Sequence, residues 1–115
     1  MSIRIGNVGI DTTDLAGASA FWQAVTLYEV SSSGDDHTYL IDPAKEGPGL
    51  FVQLVPEPRV GKNRLHLDLF TDDLDGEVAR VQDLGASEVK RFPGEDGGWV
   101  VLADTDGNHF CIVAA

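Results

Sequence analysis

Apolar positions recur at two different spacings along this 115-residue chain, and the spacing switches in the same order twice. Residues 3–11 (Ile-Arg-Ile-Gly-Asn-Val-Gly-Ile-Asp) alternate as a strand does, because successive side chains of an extended chain point to opposite faces. Leu15, Ala18, Trp22 and Val25 then recur at helical spacing, with Phe21 widening the stripe. Asp14 stands where its carboxylate can accept from the free N–H groups of the first helical turn. Residues 28–32, 37–42 and 50–55 read as three more strands, and 56–63 as a connection containing Pro and Gly. The second half repeats the plan. A strand is predicted over 64–71, and Asp73 caps a helix with Leu74, Val78, Val81 and Leu84 on one face. Gly85 stops that helix. Strands follow near 86–91, 98–104 and 109–114, and Asp104-Thr-Asp-Gly-Asn108 carries hairpin-turn chemistry.

Displacing the chain by 59 residues aligns the halves: Asp14-Leu15 meets Asp73-Leu74, Gly17 meets Gly76, Ala20 meets Ala79, Gln23 meets Gln82, and Glu29-Val30 meets Glu88-Val89. Seven of the seventeen positions from 14 to 30 are identical, so the element order is a true repeat. The predicted fold is α+β: two βαβββ modules with curved mixed sheets closing around a shared cleft, helices outside. One domain spans 1–115, with module one at 1–56, a linker at 57–63 and module two at 64–115.

Charge and composition narrow the partners. The net charge of −11 repels nucleic acid and anionic membrane, so neither is expected. Cys111 is the single cysteine, which leaves no disulfide framework. The first residues show no signal-peptide pattern, and no stretch reaches the roughly 20 apolar residues of a membrane span. A cytoplasmic protein is the expectation.

Alternation also exposes the candidate chemistry. In the strand predicted over 64–71, Leu65, Leu67 and Leu69 form a row that packs beneath a helix. Arg64, His66, Asp68 and Phe70 then form the open row. Moving back by 59 puts Asn7, Gly9 and Asp11 on the matching row of the first strand, above Val8 and Ile10. A row with a His, an Asn and two Asp is the best site signal in the chain. At strand spacing Asp68 stands about 7 Å from His66, which makes it a group that orients substrate or tunes charge rather than a direct partner. Trp22 belongs to the core stripe, whereas Tyr39, Phe51, Phe70 and Trp99 offer stacking area. Arg59, Lys62 and Arg64 gather three of the eight basic residues where the modules join. The 104–108 run resembles the start of a Ca²⁺ loop but lacks the glutamate at position twelve, so the turn reading holds.

These segments resemble the vicinal oxygen chelate superfamily, which includes glyoxalases, bleomycin-resistance proteins and ring-cleaving dioxygenases. The resemblance rests on Asn7-Val-Gly-Ile-Asp-Thr-Thr-Asp-Leu15, on His66-Leu-Asp-Leu-Phe-Thr-Asp-Asp-Leu74, and on Asp104-Thr-Asp-Gly-Asn-His-Phe-Cys111. The stretch 55–68 and Gly97-Gly-Trp99 are similar to a glyoxalase-like subgroup. The resemblance implies four metal-ligand positions, which fall on Asn7, Gln53, His66 and Cys111; setting Gly49 on Gly107 gives the Gln53 register. Only His66 keeps a ligand identity of the family. Neutral Asn and Gln oxygens are weak ligands for Zn²⁺, Ni²⁺ or Fe²⁺.

The expected function is therefore binding of a small organic molecule in the central cleft, with no cofactor and no family-type metal. Asn7, Asp11, Gln53, Arg64, Trp99 and Cys111 are the expected ligand contacts. The alternative is a lyase or isomerase in which His66 is the acid or base and Asp68 assists, with or without a divalent metal (Zn, Ni, Mn or Fe). His66, His109 and Cys111 form a second, non-family ligand set to consider. The resemblance also implies a homodimer.

Overall fold

The computed structural model describes residues 4–115. Ile3, the first residue of the strand predicted at 3–11, lies outside them. The described strands and helices follow the order β1 (Asn7–Thr12), α1 (Leu15–Thr26), β2 (Glu29–Ser33), β3 (His37–Ile41), β4 (Gly49–Leu54), β5 (Asp68–Thr71), α2 (Leu74–Asp83), β6 (Ser87–Phe92), β7 (Trp99–Ala103) and β8 (His109–Ala114). The chain divides into two units, Met1–Pro58 and Arg59–Ala115. Each holds one βαβββ pattern. No described helix is long and apolar enough to cross a membrane.

Each unit builds one open four-stranded mixed sheet, ordered β1-β4-β3-β2 in the first and β5-β8-β7-β6 in the second. Neither is closed. β1 runs parallel to β4, and β5 parallel to β8; the other pairings are antiparallel. Strand alternation then sorts the residues by face. In the first unit Ile10, Thr12, Thr38, Leu40, Leu50 and Val52 are buried, and so are Ala18, Phe21, Trp22 and Val25 of α1. The Ser19 hydroxyl of α1 meets the Thr38 hydroxyl at 2.8 Å, which satisfies a polar pair inside that layer. In the second unit Val78 and Val81 of α2 share the buried layer with Val100, Leu102, Phe110 and Ile112. The helix-free face of each sheet carries the polar rows.

Both helices start as the sequence predicts. Asp14 accepts from the Gly17 N–H at 3.1 Å, and Asp73 from the Gly76 N–H at 3.1 Å. The repeat's matched glycines follow from this cap. A Cβ would lie 2.3 Å from the Asp14 carboxylate at Gly17, and 2.1 Å from the Asp73 carboxylate at Gly76. Asp14→Ala and Asp73→Ala are each expected to cost about 1 kcal/mol, a Tm loss of about 4 °C by calorimetry. An unchanged Tm in both would deny the caps any energetic role.

Two expectations need correction. The strand predicted over 64–71 begins only at Asp68, and the chain bends at residues 64–65. Leu65 is 87% exposed, so it does not join Leu67 and Leu69 in a packed row. The repeat also has a shifting register. The offset is 59 at the helix caps, whereas β2 and β6 pair so that Val30 matches Glu88, 58 apart. The Glu29-Val30 identity with Glu88-Val89 is thus one residue out of structural register. The offset rises to 62 for Leu40 and Leu102, because the β6–β7 connection is longer than the β2–β3 connection, and falls to 60 for Leu50 and Phe110, because the β3–β4 loop is two residues longer than the β7–β8 loop.

Candidate functional site

The open face of the second sheet is built in rows set by strand pairing. Asp68 of β5 pairs with Cys111 of β8, which pairs with Val101 of β7. The next row is Phe70, Val113 and Trp99. His66 precedes β5, and its Nε2 lies 3.1 Å from Oδ1 of Asp68. This corrects the expected separation of about 7 Å: residues 64–67 are not regular strand, and the His66 ring reaches Asp68 from the bend. The Leu67 carbonyl accepts from the Cys111 N–H at 2.8 Å, which holds this segment against β8.

Asp68 is the hub of a three-residue cluster. The donor atoms of His66, Asp68 and Cys111 all lie within 4.8 Å of one another. His66 and Asp68 are about half exposed, with side-chain values of 51% and 49%, whereas Cys111 is buried. Burial first, then the Asp68 carboxylate, pushes the Cys111 thiol above its usual range, and the thiol hydrogen-bonds to that carboxylate. A thiol held protonated in this way is a poor nucleophile, so the cluster does not read as a cysteine-based catalytic site. His109 does not belong to the cluster; Asp68 takes the place that the alternative His66–His109–Cys111 set gave to it.

An aromatic platform adjoins the cluster. Trp99 is 42% exposed and stacks on Phe92, with ring centroids 4.8 Å apart and an interplanar angle of 13°. Lys90 places its ammonium 4.8 Å from the Phe92 centroid. Phe70 is 74% exposed. Gly98 makes the Trp99 approach workable: it has φ +78°, and a Cβ there would lie 2.0 Å from the Phe92 carbonyl. Arg64 sits exposed in the bend before β5.

The first sheet distributes its groups differently. Asp11 pairs with Gln53, and Gln53 pairs with His37. The preceding row is Gly9, Phe51 and Tyr39. Asn7 pairs with Gly49, where an added Cβ would meet the Tyr39 ring and the Asn7 amide oxygen. His37 lies 2.8 Å from Asp36 and stacks on Phe51 with centroids 5.5 Å apart. The hydrogen bond from His37 holds the Asp36 carboxyl below its usual range. His37 escaped the sequence reading. Its alternation along β3 with Tyr39 was the available signal, but its alignment with Gln53 needed the β3–β4 register.

That register also relocates one position implied by the family resemblance. Gly9 and Asp68 occupy equivalent places before the helix caps, and their parallel partners are Phe51 and Cys111. Phe51, not Gln53, is therefore the counterpart of Cys111, and Gly49 matches His109 rather than Gly107. The four positions then hold Asn7, Phe51, His66 and Cys111. A benzyl ring offers no donor and Asn7 only a neutral one, so the first sheet does not fit its share of a four-ligand metal site.

The comparisons agree with this architecture. A family model described as a glyoxalase-like domain matches residues 7–113. Among curated proteins, none matches the chain in sequence. Solved structures share the fold at low identity. A glyoxalase/bleomycin resistance protein/dioxygenase family enzyme from Burkholderia phytofirmans is 22% identical, with TM-score 0.80 and coverage of 97% of this chain and 98% of that one. The fosfomycin resistance protein FosX from Listeria monocytogenes is 17% identical, with TM-score 0.82 and coverage of 100% and 95%. A FosX variant was crystallised with Mn(II) and a dihydroxypropylphosphonic acid. Lactoylglutathione lyase from Agrobacterium tumefaciens is 19% identical, with TM-score 0.71 and coverage of 97% and 93%.

Proposed function

The chain belongs to the glyoxalase-like domain family, and from that premise we propose that it binds a small organic molecule on the open face of its second sheet, without the four-position metal of the superfamily. One observation carries this reading. The Phe70–Val113–Trp99 row lies directly beside the Asp68–Cys111 row, with His66 against Asp68. A planar or apolar group finds stacking area on Trp99 and Phe70, and a polar group finds His66 and Asp68 at the adjoining row. Arg64 is assigned to the polar end. Asn7, Asp11 and Gln53 are assigned to ligand contacts of the first sheet. A cytoplasmic homodimer is the setting this reading expects, from the family resemblance, the acidic composition and the single cysteine.

A second reading is favoured by the 3.1 Å contact between His66 and Asp68. A carboxylate on one ring nitrogen fixes the tautomer and orientation of an imidazole, which leaves the other nitrogen to take or give a proton. In that reading His66 is the acid or base of a small-molecule lyase or isomerase, and Asp68 positions it.

Tryptophan fluorescence tests both. Trp22 is buried and Trp99 exposed, so quenching that disappears in Trp99→Phe reports the platform. A panel of metabolites and antibiotics is expected to contain compounds that quench Trp99, with affinity about tenfold weaker in His66→Ala. Turnover of a bound compound that is lost in His66→Ala supports the enzyme, and binding without turnover supports sequestration. Quenching by none of the panel, or affinities untouched in His66→Ala, would count against this face as the site.

A further inference from the structure

We propose that His66, Asp68 and Cys111 form a single-module site for a zinc-class divalent cation, separate in composition from the four-position, two-module site implied by the superfamily. The donors are an imidazole nitrogen, a carboxylate oxygen and a sulfur, and they lie within 4.8 Å of one another. Around a tetrahedral Zn²⁺ with bonds of about 2.0–2.3 Å, ligand atoms stand roughly 3.3–3.6 Å apart. Small side-chain rotations close the difference, and His66 and Asp68 have the exposure to make them.

The donor types select the ion. A sulfur with imidazole and carboxylate suits Zn²⁺ and Co²⁺ better than Mg²⁺, Ca²⁺ or Mn²⁺, which prefer all-oxygen sets. Cation binding would displace the Cys111 thiol proton to solvent, and the resulting thiolate together with the carboxylate would match the ion's double positive charge, which offsets the desolvation of the ion within the cluster. The chain's net charge of −11 favours cation approach. All three donors belong to the second unit. The substitution of Phe51 and Asn7 at the first sheet's positions therefore leaves this set intact. Three protein ligands would leave a fourth coordination position for an atom of a bound ligand. The inference deepens the proposed small-molecule function: a bound cation would draw an oxygen or nitrogen of the ligand to the polar end of the Trp99–Phe70 platform.

Cobalt is the probe, because a thiolate bound to Co²⁺ gives a near-ultraviolet charge-transfer absorption that reports the sulfur ligand itself. Chelator-treated, reduced full-length protein is titrated with Co²⁺ and then with Zn²⁺. The expected result is a charge-transfer band that saturates at about one equivalent and is displaced by Zn²⁺. Cys111→Ser should abolish the band. His66→Ala and Asp68→Asn should each weaken Co²⁺ binding by at least the roughly 10- to 100-fold that losing an outer-shell partner costs. His109→Ala, outside the cluster, should leave the titration unchanged. Both exposed-site variants retain the core, so they remain informative if Cys111→Ser folds poorly. No band in the native protein, a band that survives Cys111→Ser, or equal weakening by His109→Ala would overturn the site. The cobalt absorption reads the cation without any organic ligand, and Trp99 quenching reads the organic ligand without the cation, so failure of one is distinct from failure of the other.

Discussion

Phe110→Ala is expected to destabilise the protein by about 3–5 kcal/mol, seen as a lower denaturant midpoint at unchanged slope. Phe110 is a large side chain and only 1% exposed. It sits on the inward row of β8, paired with Leu102, in the layer that also buries Val78 and Val81 of α2. Removing the ring takes away its apolar transfer energy and leaves a cavity that a sheet fixed on both sides of β8 cannot collapse into. Small domains have only about 5–15 kcal/mol of stability to lose, so this single change removes a large share of it. Phe110→Leu keeps most of the volume and is expected to lose much less. A midpoint in Phe110→Ala close to that of the native chain would mean that the layer between α2 and its sheet repacks freely. Cys111 follows Phe110 on the opposite face, so the same strand carries a large core residue and the sulfur of the candidate site.

The sheets and helices were legible because their residues obey local rules. Alternation set β1, the helical stripes set α1 and α2, and Asp14 and Asp73 announced the helix starts. The site was legible only in part. His66, Asp68 and Cys111 were each singled out from strand alternation or the family resemblance, but their convergence depends on two features without a local signature. The first is the bend at residues 64–65, which Leu65 disguises as a continuing apolar row. The second is the parallel β5–β8 register, which joins residues more than 40 positions apart. Loop length hid the rest. Asp42 gathers the N–H groups of Ala44, Glu46 and Gly47 at 2.9, 3.1 and 3.0 Å, and Asp104 gathers those of Asp106 and Asn108 at 2.9 and 2.8 Å. The two loops share this chemistry but differ by two residues. Matching them by glycine therefore moved Gln53 onto the place that Phe51 holds.

Asn63→Ala is expected to cost about 2 kcal/mol and to loosen the segment that carries His66. The Asn63 side chain substitutes for a missing strand residue. Its amide oxygen accepts from the His109 N–H at 2.9 Å, its amide nitrogen donates to the His109 carbonyl at 3.3 Å, and the same nitrogen donates to the Leu65 carbonyl. One side chain thus pairs the backbone at the start of β8 and pins the bend from which His66 reaches Asp68. Alanine removes all three bonds and leaves the His109 groups, which are half-buried, without these protein partners. Two measurements separate this positioning role from general destabilisation. Amide exchange at His109 should accelerate in Asn63→Ala while exchange in α1 stays slow, because α1 belongs to the other unit. Co²⁺ affinity should fall as well, since His66 loses its anchor. Asn63→Asp keeps the oxygen that accepts from the His109 N–H but lacks the donor, so it should retain the slow His109 exchange and lose the bonds to the His109 and Leu65 carbonyls. Native-like exchange at His109 in Asn63→Ala would show that the β8 pairing and the bend hold themselves, and that His66 owes its place to Asp68 alone.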